Sequence, residues 1–60
     1  MDITIHIDCN NNAFSDNSHI EIARILTELA ETIEEMEGIE KINLRDINGN
    51  FVGQLKVNEV

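Results

Sequence analysis

The side chains that could support chemistry are few, and their spacing does not build a catalytic or metal site. His6, Asp8 and Cys9 form an H-x-D-C cluster near the N-terminus. In a strand, His6 and Asp8 share one face and Cys9 points to the other, so the three cannot jointly bind one metal ion. Ser15 and Ser18 lack a glycine-rich elbow, and Cys9 lacks a basic neighbour that would activate its thiol. We therefore expect no catalytic residue, no metal and no cofactor, and predict that the chain is not an enzyme.

Carboxylates are the most abundant functional groups. Twelve acidic and four basic residues give a net charge of −8 over 60 residues. This balance argues against direct binding to nucleic acid or to an anionic membrane, because both require positive charge. Glutamates at helical spacing can instead imitate the phosphates of a duplex and occupy a basic groove on another protein. The candidate contact residues for such a partner are Glu21, Glu28, Glu31 and Glu35. The alternative is an ordinary solvated helix face.

Three of the four basic residues, Lys41, Arg45 and Lys56, fall on the outer face of a predicted hairpin. They are the candidates for an alternative function, in which a small charged signal is bound and sequestered at a dimer interface.

Three segments must position these groups. Apolar and polar side chains alternate strictly along residues 1–9. This pattern predicts a strand whose buried face carries Ile3, Ile5, Ile7 and Cys9. Residues 10–17 predict a loop, with Phe14 tucked beneath the sheet or the end of the helix. Residues 18–37 predict one long helix.

The predicted helix begins with a capping box, in which the Ser18 hydroxyl and the Glu21 side chain satisfy each other's backbone amides. Gly38 is the expected C-terminal cap. The stripe expected to face the sheet comprises Ile22, Ile25, Leu26, Leu29, Ile33 and Met36.

Residues 39–57 predict a β-hairpin, because Asn48-Gly49 favours a two-residue type I′ turn. The residue numbers of each cross-strand pair then sum to 97. Leu44 therefore lies opposite Gly53, and Phe51 lies opposite Asp46 on the apolar face. Val52 falls on the polar face. A longer loop with a bulged Gly49 is the alternative. Gly53 would allow the helix to lie close to the sheet.

Together these elements predict an α+β fold formed by residues 1–60 as a single domain. It is a two-layer β-α-β-β sandwich with a three-stranded sheet and one long helix on one face. The first strand could pair in parallel with the second or antiparallel with the third. Two sheet edges remain open in a chain too short for a large core, which favours a homodimer that continues the sheet.

Three segments together resemble a group of small, acidic, phage-encoded proteins. They read N-A-F-S-D-N at 12–17, E-I-A-R-I-L at 21–26 and R-D-I-N-G-N-F-V-G at 45–53. The pattern is similar to the inhibitor family that acts on the Hachiman anti-phage defence system. The triple Asn at 10–12 and the acidic run at 34–37 depart from it.

The resemblance implies a phage-encoded inhibitor of a bacterial defence protein that acts by occlusion, as a homodimer, in the cytoplasm of the host. The alternative is a structural or accessory protein that assembles with other phage components. Residues 1–9 lack a basic region and no stretch approaches the length of a membrane span, so we expect neither a secretory signal nor membrane association.

Overall fold

The computed structural model describes residues 1–59, and the elements follow the predicted order. Strand β1 covers Asp2–Ile7 and helix α1 covers Ser18–Glu35, with a short 3-10 turn at Asn12–Phe14 between them. Strands β2 (Lys41–Arg45) and β3 (Phe51–Asn58) complete a three-stranded sheet. The predicted α+β architecture, with one helix packed on one face of the sheet, is confirmed.

The strand order β1-β3-β2 settles the pairing that the sequence left open. β1 pairs antiparallel with β3, in a register that sets Ile5 opposite Leu55. β2 also pairs antiparallel with β3 and sets Ile42 opposite the same Leu55. Leu55 therefore lies at the centre of the apolar face and is only 1% exposed. β1 and β2 form the two edges of the sheet.

The hairpin follows the longer-loop alternative, and the two-residue type I′ turn is wrong. The amide of Gly49 donates to the carbonyl of Asp46 at 3.0 Å, and of these turn residues only Gly49 has a positive φ, of 85°. The predicted register holds from Lys41 to Leu44 and then shifts, so that Arg45 rather than Asp46 lies opposite Phe51. A bulge of this kind inserts one extra residue on the β3 side.

The shift reverses two burial predictions. Val52 is part of the buried core, whereas Phe51 is 57% exposed. Because successive residues of a strand point to opposite faces, one inserted residue exchanges the two side chains. The chain thus keeps one apolar residue under the helix at this position, but it is not the residue that strict alternation predicts.

Both predicted helix caps are wrong. The N-cap is Asn17 in the left-handed region (φ 55°), and its side chain makes no capping hydrogen bond. Its carbonyl instead accepts the amide of Ile20 at 2.9 Å. Glu21 does not return to the helix start, because its carboxylate is used elsewhere. At the other end the helix stops at Glu35, and Met36 is already extended, two residues before Gly38.

The core is small and lies between α1, β2 and β3. Its buried members are Phe14, Ile25, Leu29, Leu44, Val52 and Leu55. The expected burial of Phe14 is confirmed. The predicted burial of β1 is wrong: Ile3 and Ile5 are 44% and 45% exposed, Ile7 is half-buried and Cys9 is exposed. Leu26 and Met36 are also substantially exposed. One helix is too narrow to cover three strands, and here it leaves the β1 edge uncovered.

Gly53 is required by the strand pairing rather than by the helix. A Cβ atom added there would collide with the carbonyl oxygen of His6 in β1. Backbone contact of this kind cannot be relieved by rotating a side chain. The predicted role of Gly53 in helix approach is therefore replaced by a role in joining β1 to β3.

We predict that Gly53→Ala lowers the free energy of unfolding by about 1–3 kcal/mol, because β1 must shift to admit the methyl group. Urea unfolding followed by circular dichroism measures the change. The matched control is Gly38→Ala, where an added Cβ meets nothing within 4 Å. That variant should be neutral or stabilised by up to about 1 kcal/mol. Equal losses in the two variants would contradict the proposed role of Gly53.

Candidate functional site

Three of the four candidate acidic residues form one exposed stripe on α1. Glu28, Glu31 and Glu35 are all exposed, and their i, i+3, i+7 spacing places them along one side of the helix. Among residues 1–59, the only ion pair that involves this stripe joins Arg24 Nη1 to Glu28 Oε2 at 2.8 Å. Even Glu28 keeps 65% of its side chain exposed. The stripe therefore presents carboxylates to solvent, available to an external partner.

Glu21, the fourth candidate, belongs to the interior, and its expected exposure is wrong. The residue is only 7% exposed. Its Oε1 accepts Arg24 Nε at 2.8 Å, and its Oε2 accepts both Arg24 Nη2 at 3.0 Å and the backbone amide of Ile47 at 2.8 Å. Glu21 thus joins the start of α1 to the β2–β3 loop, and a partner protein cannot reach it without breaking that connection.

The hydrogen bonds decide the charge state of this pair. Hydrogen bonding from Arg24 lowers the pKa of Glu21, burial opposes this effect, and the amide of Ile47 lowers the pKa further. The same bond with Glu21 raises the pKa of Arg24. Arg24 also donates to the carbonyl of Arg45 at 3.2 Å and to Glu28. The guanidinium therefore links the helix to the open edge of β2.

A second buried carboxylate, Asp46, organises the β2–β3 loop. It is 4% exposed. Its Oδ1 accepts the amides of Asn48 and Asn50 at 2.9 and 2.8 Å, and its Oδ2 accepts the side chains of Asn50 and Asn11 at 3.1 and 2.8 Å. Burial alone would raise the pKa of Asp46, but the bonds from Asn50, Asn11 and Asn48 outweigh it and the pKa is lowered.

This role of Asp46 was not predicted from the sequence. The D-x-N-x-N spacing contains the local part of the signal, because an Asp side chain readily accepts backbone amides two and four residues further on. The bond from Asn11 crosses 35 positions and has no sequence signature. Asn11 and Asp46 together connect the loop after β1 to the hairpin.

The alternative candidates Lys41, Arg45 and Lys56 are exposed on the outer face of the sheet. Lys41 and Lys56 lie directly opposite each other on β2 and β3. Like charges in this position repel each other unless an anion lies between them. Arg45 lies opposite the exposed Phe51 and donates to the carbonyl of Gly49 at 3.2 Å. The three cations share one face, but Lys41 and Arg45 are four residues apart along β2.

Within residues 1–59 no three His, Cys, Asp or Glu side chains are placed to hold one metal ion. A depression of about 510 Å³ forms an open groove between α1 and β2, and its lining includes Arg24, Glu28 and Thr32. No helix of the described chain is long and apolar enough to cross a bilayer.

Comparison with known proteins gives no further guide to this site. The chain matches no family model, and it has no significant match among curated proteins or solved structures.

Glu21→Gln should lower the free energy of unfolding at pH 7 by about 1–3 kcal/mol, because an amide cannot accept all three donors that the carboxylate accepts. The loss should also depend on pH. A carboxyl group with a lowered pKa stabilises the native state above its ordinary value of 4.5 and loses that contribution as the pH falls below it. Urea unfolding of both proteins between pH 7 and pH 3 should therefore show the difference shrinking below about pH 4.5.

Glu31→Gln is the matched control, because it changes the same chemical group at an exposed position of the same helix. Its stability should stay within about 0.5 kcal/mol of the parent protein. A Glu21→Gln variant as stable as this control, or a difference that does not vary with pH, would contradict the role assigned to Glu21.

Proposed function

We propose that this chain is a phage-encoded inhibitor of a bacterial anti-phage defence system, with Hachiman as the candidate target. It acts by binding and occluding a basic surface of a host defence protein, without catalysis. The observation that carries the proposal is the exposed carboxylate stripe Glu28, Glu31 and Glu35 on a helix whose opposite side is fixed in the core.

The stripe has the properties that electrostatic mimicry requires. Its two ends, Glu28 and Glu35, are seven residues apart, or roughly 10 Å along the helix axis. A helix anchored by buried Ile25 and Leu29 holds these carboxylates at defined spacing, so little entropy is lost when they meet a rigid groove. Proteins that act on nucleic acid carry basic grooves that track the phosphate backbone. Complementary charge would also speed the encounter with such a groove.

The phage origin, the host cytoplasm and the defence target are supported by the resemblance of segments 12–17, 21–26 and 45–53. All three segments also have structural roles, since 12–17 includes the buried Phe14, 21–26 includes the buried Ile25, and 45–53 includes Asp46 and the bulge. The homodimer is supported by the resemblance and by the two open sheet edges. The net charge of −8 supports the view that the chain does not itself bind nucleic acid, because phosphates would repel it.

A second function is favoured by the opposed pair Lys41 and Lys56, whose repulsion a bound anion would relieve. In this alternative the chain sequesters a small anionic signal with Lys41, Arg45 and Lys56. A rise in melting temperature on addition of nucleotides or cyclic dinucleotides, lost in Lys56→Gln, would favour it over occlusion.

The proposal is tested by infection of bacteria that carry one defence system at a time and express the chain. We predict that plaques return with Hachiman, and that Glu31→Lys combined with Glu35→Lys abolishes the effect. Each reversal should remove one favourable contact and add one repulsion, which together cost the complex several kcal/mol and hence at least about 100-fold in affinity. Plaque counts and pull-down of the defence protein are the measurements.

The matched control reverses two exposed carboxylates away from the stripe, Asp16→Lys and Glu59→Lys, with the same change in net charge. It should inhibit like the parent protein. Inhibition retained by the stripe variant would refute occlusion through this face. No restoration with any defence system would favour the phage accessory protein instead.

A further inference from the structure

The outer edge of β1 has backbone groups that the described chain leaves without a strand partner. The amide of Asp8 donates to the carbonyl of Val52, its direct partner in the β1–β3 register. In an antiparallel pair such bonded positions alternate, so Asp2, Thr4 and His6 also direct their backbone groups toward β3. Ile3, Ile5 and Ile7 therefore point their N–H and C=O groups to the open edge.

An apolar strip lies beside this edge. Ile3 and Ile5 are nearly half exposed on the helix side of the sheet. Leu26 is 42% exposed. It lies about 100° around the helix from Ile25, on the flank opposite Arg24, and Arg24 faces the groove beside β2. The strip of Ile3, Ile5 and Leu26 thus joins an open strand edge to an uncovered apolar surface.

The other edge of the sheet is less suited to pairing. The carbonyl of Arg45, which faces outward from β2, already accepts Arg24 Nη2. Lys41 and Arg45 flank that edge with charge, a feature that discourages strand addition. A partner that extends the sheet therefore fits β1 and not β2.

We infer that a second copy of this chain pairs with β1 in an antiparallel manner across a two-fold axis at Thr4. In this register Ile3 lies opposite Ile5 of the partner copy, and the two exchange both backbone hydrogen bonds. Four such bonds form around the axis, and the sheet becomes six-stranded. The half-exposed isoleucines of the two copies then cover one another.

Charge selects this register over the neighbouring one. Only even shifts keep the isoleucines on the same face, because side chains alternate along a strand. Pairing about Thr4 sets Asp2 opposite His6 of the other copy, twice per dimer, and the carboxylate can accept a hydrogen bond from the imidazole. Pairing about Ile5 would set Asp2 opposite Asp8, and like charges directly opposite each other repel.

The antiparallel interface between the two β1 strands, called the seam below, leaves the acidic stripe of each copy exposed. The dimer therefore carries two such stripes. Both helices lie on the same face of the continuous sheet, because the isoleucines of both copies face that side. Glu28 lines the groove beside β2, on the flank of α1 away from the seam. The partner that fits such a dimer is an extended basic surface able to meet two acidic helices. This consequence rests on the proposed function, whereas the seam itself does not.

Cross-linking of purified protein tests the register. Thr4→Cys is made together with Cys9→Ser, so that residue 4 carries the only thiol. Opposed residues in a non-hydrogen-bonded antiparallel pair have Cα atoms about 4.5 Å apart, within the range of a disulfide. Mild oxidation should shift the mass from 6.8 kDa to twice that value. The parent protein should sediment as a dimer at the same concentration.

The matched control is His6→Cys with Cys9→Ser, on the same strand and the same face. The two copies of residue 6 would be about 13 Å apart across the axis, too far for a disulfide. Cross-linking at residue 4 and not at residue 6 supports the seam. A parent protein that stays monomeric, or a pattern in which residue 4 does not cross-link faster than residue 6, overturns it. Neither measurement involves a target, so a cross-linked dimer that fails to inhibit would remove the proposed function and leave the seam.

Discussion

The width of a single helix is the constraint on which the rest of this structure depends. One helix can cover about two strands of a sheet, and this sheet has three. The helix lies over β2 and β3, where Ile25 and Leu29 meet Leu44 and Leu55. β1 is joined to the sheet by its pairing with β3, while its isoleucines remain nearly half exposed. The same asymmetry that gives the chain a small core therefore leaves an apolar edge beside it.

Two buried carboxylates compensate for the small core. Glu21 and Asp46 each accept several hydrogen bonds, and for each carboxylate one of these comes from a part of the chain that is distant in sequence. They fix the β2–β3 loop to the helix and to the loop after β1. Buried carboxylates stabilise a fold only when their hydrogen bonds are satisfied, and within residues 1–59 no buried side-chain polar atom lacks a partner. The acidic composition thus contains two different populations, one structural and one exposed to solvent.

The sequence predicted the periodic features well and the local exceptions poorly. Alternation, the Asn48-Gly49 turn and the 3.6-residue repeat together identified all three strands and the helix. Val52 and Phe51 exchanged faces because a bulge depends on how the loop closes, which alternation cannot reveal. Glu21 fits the capping-box pattern in the sequence. In the folded chain its carboxylate instead accepts hydrogen bonds from Arg24 and from the amide of Ile47. Ile3 and Ile5 read as core residues because the sequence does not show where the helix crosses the sheet.

Amide hydrogen exchange at β1 measures the state of the uncovered edge most directly. Thr4 and His6 direct their amides into the β1–β3 ladder and provide an internal reference for a folded monomer. If a second copy completes the sheet, the amides of Ile3 and Ile5 become protected at concentrations where the dimer forms, and lose protection on dilution while Thr4 and His6 retain it. If Ile3 and Ile5 exchange as freely as loop amides at every concentration, β1 is a free edge and the two-fold arrangement of acidic helices is contradicted.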